Sequence, residues 1–154
     1  FVGEERFVVI LGDNILNGSI RPYVKNFRDR ESGARVLLRK VDDPQRFGVP
    51  RFDGAGNIVD LVEKPSDPPS PYAVIGVYMY DNRFWEILPT LELSDRGQYE
   101  ITDVNAAYLQ AAELEYDILP FEWTDAGTPE SLHHASVLAR SSDFLRELPV
   151  EPPG

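Results

Sequence analysis

The stretch FVVILGDN, at residues 7–14, joins a strongly apolar segment to a polar end. Five apolar residues in a row, 7–11, predict a strand that is buried on both faces. We expect Gly12 to let the chain turn sharply where that strand ends, so that Asp13 lies at the rim of a sheet. An aspartate that only caps the following turn remains the alternative for this motif taken alone.

Strands and helices alternate along the rest of the chain. Strands are predicted over 7–11, 34–41, 72–80 and 116–123, with two more inside 47–65 that are joined by a turn at 53–57. Helices are predicted over about 20–33, 82–91, 102–113 and 129–146, with Ser19 and Thr128 as N-terminal caps and Gly33 as a stop. Gly76, inside a strand, indicates a close backbone approach or a bulge.

This order of elements predicts an α/β fold, Rossmann-like, with a mixed, mostly parallel sheet flanked by helices. In such sheets, ligands bind beyond the carboxyl ends of the strands. Residues 1–148 are expected to form one domain, and 149–154 (PVEPPG) a tail, because its prolines do not continue a helix.

The composition narrows the classes of function. The 154 residues contain no cysteine, which excludes thiolate metal sites and a cysteine nucleophile and favours a reducing, cytoplasmic location. The formal net charge of −11 disfavours binding to nucleic acid and to anionic membranes. A phosphate ligand would therefore be held by a few local cations or a metal.

A second carboxylate repeats the arrangement at Asp13. In EWTDAGTPE, residues 122–130, a predicted strand ends at Trp123, and Asp125 follows it ahead of a capped helix. Two hard oxygen ligands at one rim of the sheet suit Mg²⁺, which takes the rest of its coordination shell from water and substrate phosphates.

Three further segments offer groups for an anion or a sugar. VEKP, at 62–65, ends a strand and predicts Glu63 and Lys64 on opposite faces, with Lys64 a candidate for phosphate and Glu63 for hydroxyls. Arg96 lies beside Gly97, where a guanidinium suits an oxyanion. Gly48 could bring a backbone N–H against a ligand. The VEKP segment is equally compatible with a solvated strand end, and Gly48 with a hinge, while an arginine such as Arg96 is more commonly a free surface group.

Taken together, the segments resemble a known family. LGDN (11–14), FGV (47–49), VEKP (62–65), YAVIGVYMYDN (72–82), RGQYEITD (96–103) and WTDAGT (123–128) are similar, in this order and spacing, to the sugar-1-phosphate nucleotidylyltransferases, above all to glucose-1-phosphate thymidylyltransferases. The resemblance extends from about residue 7 to about residue 139. It implies transfer of a nucleoside monophosphate, such as dTMP from dTTP, to a sugar 1-phosphate such as glucose 1-phosphate, with release of pyrophosphate.

The resemblance also implies roles for individual residues. Asp13 and Asp125 correspond to Mg²⁺ ligands. Lys64 and Arg96 correspond to the catalytic ligands of the sugar phosphate. The sugar itself is implied to contact Gly48, Glu63, Val74 and Tyr78. The implied partners are a nucleoside triphosphate and a sugar 1-phosphate, with no nucleic acid and no membrane, and self-association is left open.

The chain departs from the family pattern in three respects. Gln98 and Phe47 replace the usual Glu and Tyr, which puts fine substrate contacts in question, and Thr124 and Ala126 stand where other residues are commoner. The glycine-rich GxGTRL-type segment that cradles the triphosphate, and the base-recognition segment after it, do not occur in these 154 residues. We therefore expect a fragment that keeps the sugar-phosphate half of the site and is inactive alone.

Two other classes of function remain open from the sequence. One is a non-catalytic sugar-phosphate-binding or assembly module. The other is a metal-dependent glycosyltransferase, although such an enzyme would be expected to carry a D-x-D pair, and Asp13-Asn14-Ile15 lacks the second aspartate.

Overall fold

The computed structural model describes residues 5–30, 32–94 and 97–141. The strands are β1 (Phe7–Ile10), β2 (Asn14–Leu16), β3 (Ala34–Lys40), β4 (Gly48–Phe52), β5 (Ile58–Glu63), β6 (Tyr72–Tyr80), β7 (Leu114–Ile118) and β8 (Trp123–Asp125). The helices are α1 (Arg21–Arg28), α2 (Phe84–Ile87), α3 (Ile101–Gln110) and α4 (Pro129–Ser141), with 3₁₀ turns at Pro44–Arg46 and Leu88–Thr90. Among these helices, none has the length and apolar character needed to cross a membrane.

Strand β6 organises the main sheet, whose order is β5-β4-β6-β3-β7. One edge of β6 pairs with β3, and the other pairs with β1 along its last four residues and with β4 at Val74. Eight of the nine residues of β6 are buried, because both faces of the sheet are covered. Alternate residues therefore enter two different cores.

The two cores lie on opposite faces of the sheet. Val74, Tyr78 and Tyr80 join one cluster with Val104 and Tyr108 of α3. The residues between them on β6 join a second cluster that contains Phe27 of α1 and Trp123 of β8. Ile20 and Val24, which are partly buried, pack against this second cluster beside Phe27.

The α/β class, with a mixed sheet flanked by helices, is confirmed. The expectation that the sheet is mostly parallel is wrong for the described strands: β6 runs antiparallel to β1, β3 and β4, β4 runs antiparallel to β5, and β3–β7 is the parallel pair. The chain from β3 to β6 contains a 3₁₀ turn and tight connections but no crossover helix, and such connections join antiparallel neighbours.

The strand predicted over 116–123 is in fact two strands in different sheets. Residues 119–122 separate β7 from β8, and they include Pro120, which cannot donate a backbone hydrogen bond. Strand β8 then pairs antiparallel with β2, in register Asn14↔Asp125, to form a two-stranded sheet. This small sheet places the chain after β1 beside the chain before α4.

The helix boundaries differ from the prediction at several ends. Helix α1 starts at Arg21 and ends at Arg28, before Gly33, while the Ser19 hydroxyl accepts a 3.2 Å bond from the backbone N–H of Arg21. Helix α2 has four residues and continues as the 3₁₀ turn. The Thr128 cap is confirmed, because its Oγ1 accepts a 3.1 Å bond from the N–H of Ser131. Residues 142–146 of the last predicted helix lie outside the described residues.

Candidate active site

The carboxylates of Asp13 and Asp125 converge, although 111 residues lie between them in the chain. A Cβ atom at Gly127 would lie 3.0 Å from Oδ2 of Asp125 and 3.6 Å from Oδ2 of Asp13, so these two oxygens face one small space. The pairing of β2 with β8 causes the convergence, helped by a 2.7 Å bond from the N–H of Ala126 to the carbonyl of Asp13. The lack of a side chain at Gly127 leaves the space between the carboxylates open.

Asn14 holds Asp13 in place. Its Oδ1 accepts bonds from the N–H of Gly76 at 2.9 Å and from the indole N–H of Trp123 at 2.7 Å. With the oxygen engaged by two donors, its Nδ2 donates to Oδ1 of Asp13 at 2.8 Å. This network explains the amide in LGDN: it directs the other oxygen of Asp13, Oδ2, toward Asp125.

Gly76 makes room for that amide. A Cβ at Gly76 would lie 2.4 Å from Nδ2 of Asn14, a distance that real side chains do not tolerate. The register of β3 against β6 also shifts opposite this glycine, between Val36 and Leu38. The close approach and the bulge that the sequence offered as alternatives are therefore both present. Gly12, by contrast, does not have a positive φ, and a Cβ there would meet nothing within 4 Å, so the turn does not require a glycine.

Arg46 is an ion-pair partner of Asp125 that sequence reasoning missed. Its NH2 donates to Oδ2 of Asp125 at 2.8 Å, and its NH1 donates to Oδ2 of Asp43 at 2.9 Å. The guanidinium also lies 5.0 Å from the ring centroid of Phe47. The hydrogen bond to Asp43 raises the pKa of Arg46 above its ordinary value, partial burial opposes that rise, and the charge of Asp125 adds to it.

Glu63 and Lys64 do not point to opposite faces, and that expectation is wrong. Strand β5 ends at Glu63, and Lys64 takes a φ of +43°, in the left-handed region, so the alternation of a regular strand is lost. As a result, Nζ of Lys64 lies 3.7 Å from Oε1 of Glu63. A non-glycine residue with positive φ is strained, and such strain is concentrated at functional sites.

Thr102 positions the other oxygen of Glu63. The hydroxyl of this buried residue donates to Oε2 of Glu63 at 2.6 Å. Gly48 is opposite both groups, since a Cβ there would lie 2.9 Å from Oγ1 of Thr102 and 3.5 Å from Oε2 of Glu63. The glycine therefore allows the Glu63 carboxylate and the Thr102 hydroxyl to approach the backbone of β4.

Tyr78 contributes a neutral hydroxyl to the same region. Burial raises the pKa of its phenol well above the ordinary value, and the nearby carboxylates of Glu63 and Asp13 raise it further. The phenol therefore stays protonated at all physiological pH values and can donate a hydrogen bond.

One cavity of about 500 Å³ collects these groups. Its lining includes seven of the eight site residues predicted from the sequence: Asp13, Gly48, Glu63, Lys64, Val74, Tyr78 and Asp125. The eighth, Arg96, lies outside the described residues. The lining also includes Asn14, Arg46, Thr102 and Trp123, which the sequence did not single out as site residues. Their only local signal was proximity to the motifs, because their roles depend on contacts with distant segments.

The donor set between the two carboxylates is compatible with a hard divalent cation. Both Asp13 and Asp125 present an Oδ2 atom to the space beside Gly127, and carboxylate oxygens are the ligands that Mg²⁺ prefers. Within residues 5–30, 32–94 and 97–141, no cluster of three or more His, Cys, Asp or Glu side chains offers a fuller metal site. A two-carboxylate site fits an ion that completes its shell with water and phosphate.

Comparison with known proteins defines the class. The chain belongs to the nucleotidyl transferase family, whose model matches residues 1–142. The resemblance inferred from the motifs is thereby confirmed.

Individual relatives are more specific. The chain is 42% identical over 153 residues to the glucose-1-phosphate thymidylyltransferase of Xanthomonas campestris pv. campestris, an alignment that covers 97% of this chain and 52% of the relative. A Bacillus anthracis protein described as a glucose-1-phosphate thymidylyltransferase, solved in complex with a sucrose, superposes with a TM-score of 0.86 at 49% identity, over 94% of this chain and 58% of that one. A UDP-glucose pyrophosphorylase complexed with UDP-glucose gives a TM-score of 0.76 at 26% identity, over 90% of this chain and 57% of that one. The chain spans about half the length of the curated relatives it matches.

Proposed function

We propose that the whole protein transfers a nucleoside monophosphate, dTMP from dTTP, to glucose 1-phosphate and releases pyrophosphate. This chain then supplies the sugar-phosphate and metal half of the site and is inactive by itself. The observation that carries the proposal is that one cavity is lined both by Asp13 and Asp125 and by Glu63 and Lys64. The names of the relatives support the choice of substrates.

The residues of the cavity divide between the two parts of a sugar 1-phosphate. Glu63, oriented by Thr102, accepts hydrogen bonds from sugar hydroxyls, and the neutral phenol of Tyr78 donates to one. The buried side chain of Val74 forms an apolar wall for the ring. Lys64 meets the phosphate, and the adjacent Glu63 limits where its ammonium can go.

The reaction itself exchanges one phosphorus–oxygen bond for another. An oxygen of the sugar phosphate attacks the α-phosphorus of the triphosphate, and the bond from that phosphorus to the bridging β-oxygen breaks, which releases pyrophosphate. The reactants are anions, so the main tasks of the protein are to position them and to neutralise their repulsion. Lys64 supplies positive charge on the sugar-phosphate side, and Arg96 is proposed to do the same.

Asp13 and Asp125 are proposed as the ligands of Mg²⁺. When bound, the ion would neutralise phosphate charge next to the reacting atoms. The role of Asn14 is to keep the Asp13 carboxylate turned toward its partner. A cytoplasmic location and self-association stay predictions, as does the absence of nucleic-acid and membrane partners.

An NMR titration tests the proposal and has an internal control. The chain has two tryptophans: the Trp123 indole donates to Asn14 inside the cavity, whereas Trp85 is 44% exposed and stacks on Phe7. Glucose 1-phosphate should shift the Trp123 indole signal and the Gly48 amide signal saturably and leave the Trp85 indole signal unchanged.

Glucose and inorganic phosphate, titrated separately, should give weaker shifts at the same positions, because each engages only part of the cavity. Saturable shifts confined to signals outside the cavity would contradict the proposed site. The non-catalytic alternative would be favoured if the full-length protein bound glucose 1-phosphate and dTTP at this site without forming pyrophosphate.

A further inference from the structure

Arg46 pairs with Asp125 beside the candidate site, and the proposed reaction assigns this arginine no role. Its guanidinium bridges Asp43 and Asp125, and its side chain is 36% exposed. It lines the candidate site and also a neighbouring cavity of about 570 Å³. A fixed positive charge on a proposed metal ligand opposes the binding of a second cation at that ligand.

The oxygen atoms involved make this opposition direct. Arg46 holds Oδ2 of Asp125, and Oδ2 is also the oxygen that shares the space beside Gly127 with Oδ2 of Asp13. The other oxygen of Asp13, Oδ1, is engaged by Asn14. A cation bound between the two facing oxygens would therefore compete with Arg46 for the same atom of Asp125.

We propose that Arg46 is a built-in counter-ion of Asp125 that a divalent cation displaces, and that the released guanidinium binds phosphate oxygens. This inference rests on the proposed function, because it assumes that Asp13 and Asp125 hold the cation. Arg46 compensates the negative charge of Asp125, which is only 15% exposed. When the cation takes over that task, the guanidinium is available at the border of the two cavities.

The chemistry of the side chain fits the second task. A planar guanidinium binds phosphate with two parallel hydrogen bonds, and it stays charged at every physiological pH. Arg46 extends from the 3₁₀ turn Pro44–Arg46, directly before Phe47 and Gly48 at the cavity wall. Rotation of its side chain away from Asp125 therefore keeps it close to the site.

Binding of Mn²⁺ to the 154-residue chain, followed by electron paramagnetic resonance of the free ion, tests the first half. Arg46→Gln should bind Mn²⁺ about two- to fivefold more tightly than wild type, the range expected for loss of a partly exposed competing ion pair. Arg51→Gln is the matched control: it removes the same charge from an exposed pair with Asp60 and lines neither cavity. Its affinity for Mn²⁺ should equal that of wild type.

Pyrophosphate titration in saturating Mn²⁺ tests the second half. Arg46→Gln should weaken the binding of inorganic pyrophosphate at least tenfold, while Arg51→Gln leaves it unchanged. Arg46→Lys, which keeps the charge but loses the two parallel bonds, should fall between wild type and Arg46→Gln in both titrations. If Arg46→Gln does not fold, Arg46→Lys still tests the inference, because it keeps the charge and most of the length of the side chain.

The outcomes separate this inference from the proposed function. If Asp125→Asn and Asp13→Ala abolish Mn²⁺ binding but Arg46→Gln leaves it equal or weaker, the counter-ion inference is overturned and the metal assignment stands. If Mn²⁺ binding does not depend on either aspartate, the metal assignment fails, and the inference fails with it. Unchanged pyrophosphate affinity in Arg46→Gln would overturn the phosphate-binding role.

Discussion

Replacing Lys64 should separate stability from ligand binding at one residue. Lys64 has a φ of +43°, and its side chain is 44% exposed, with its ammonium beside Glu63. A left-handed backbone costs a residue with a Cβ about 1–2 kcal/mol, whereas glycine loses about 0.5–1 kcal/mol in chain entropy. Lys64→Gly should therefore be more stable than Lys64→Ala by about 0.5–1 kcal/mol, because both lack the ammonium and only alanine keeps the strain.

Both substitutions should nevertheless impair binding. A charge-assisted contact between Lys64 and the phosphate contributes about 1.5–3 kcal/mol, which corresponds to a loss of about 10- to 150-fold in affinity for glucose 1-phosphate. Free glucose, which has no phosphate, should bind all variants equally. Lys64→Arg should recover only part of the loss, because a planar fork does not replace a compact charge.

Urea denaturation and calorimetric titration of the three variants and wild type measure the two effects separately. The strain argument is wrong if Lys64→Gly unfolds at a lower urea concentration than Lys64→Ala with the same m value. The phosphate assignment is wrong if all four proteins bind glucose 1-phosphate with the same affinity.

Three further predictions concern Gly76, Asp81 and the activity of the chain by itself. Gly76→Ala should lower the free energy of unfolding by about 1–3 kcal/mol in urea denaturation, because the new Cβ would overlap the Asn14 amide. Gly54→Ala is the control: a Cβ there meets nothing within 4 Å, so this variant should not lose stability through overpacking. Asp81→Asn should cost about 3 kcal/mol in the same assay, because this buried carboxylate accepts bonds from Gly33, Tyr108 and Arg83. Burial raises the pKa of Asp81, but those bonds lower it more, so its pKa in the folded protein lies below the ordinary value. The stability that the Asp81 carboxylate contributes should therefore be complete above the ordinary pKa of an aspartate and be lost as the pH falls through the lower folded pKa. Asp81→Asn should not show this dependence of stability on pH. The 154-residue chain should release no pyrophosphate from dTTP and glucose 1-phosphate in a coupled assay, because the sequence lacks the glycine-rich triphosphate segment; turnover by a mass-verified chain would contradict this.

Much of the candidate site was predictable, but by two different routes. The cap at Thr128 follows from local physical chemistry and agrees with the structure. The apolar run before Asp13 does form strand β1, but the expectation that it is buried on both faces is wrong, because its residues are at most half-buried and Ile10 and Leu11 are exposed. The assignments of Val74 and Tyr78 came from resemblance to the family, since no local pattern separates them from other core residues of β6. Their inclusion in the cavity agrees with that resemblance, while their contact with a sugar stays a prediction.

The failures share one physical cause. Parallel pairing was expected because strands and helices alternate, yet the direction of a strand depends on which distant strand it pairs with. Lys64 was expected to alternate with Glu63 because the strand was assumed regular, but the strand ends at Glu63 and Lys64 has a left-handed backbone. Gly12 was expected to be required by a turn, whereas Gly76, far along the chain, is the glycine that the amide of Asn14 requires.

The sequence by itself therefore determined the character of many elements and the chemical groups available: the buried strand β6, the helix capped by Thr128, two aspartates, and a lysine next to a glutamate. These depend on residue type and on neighbours within a few positions, which the order of amino acids states directly. Only the tertiary structure decided which groups meet. The pairing of β2 with β8 brings Asp13 to Asp125, the hydrogen bonds of Asn14 orient Asp13, and Arg46 reaches an aspartate 79 residues away. Such contacts arise because folding brings distant segments together to bury apolar surface, and local patterns do not specify their partners.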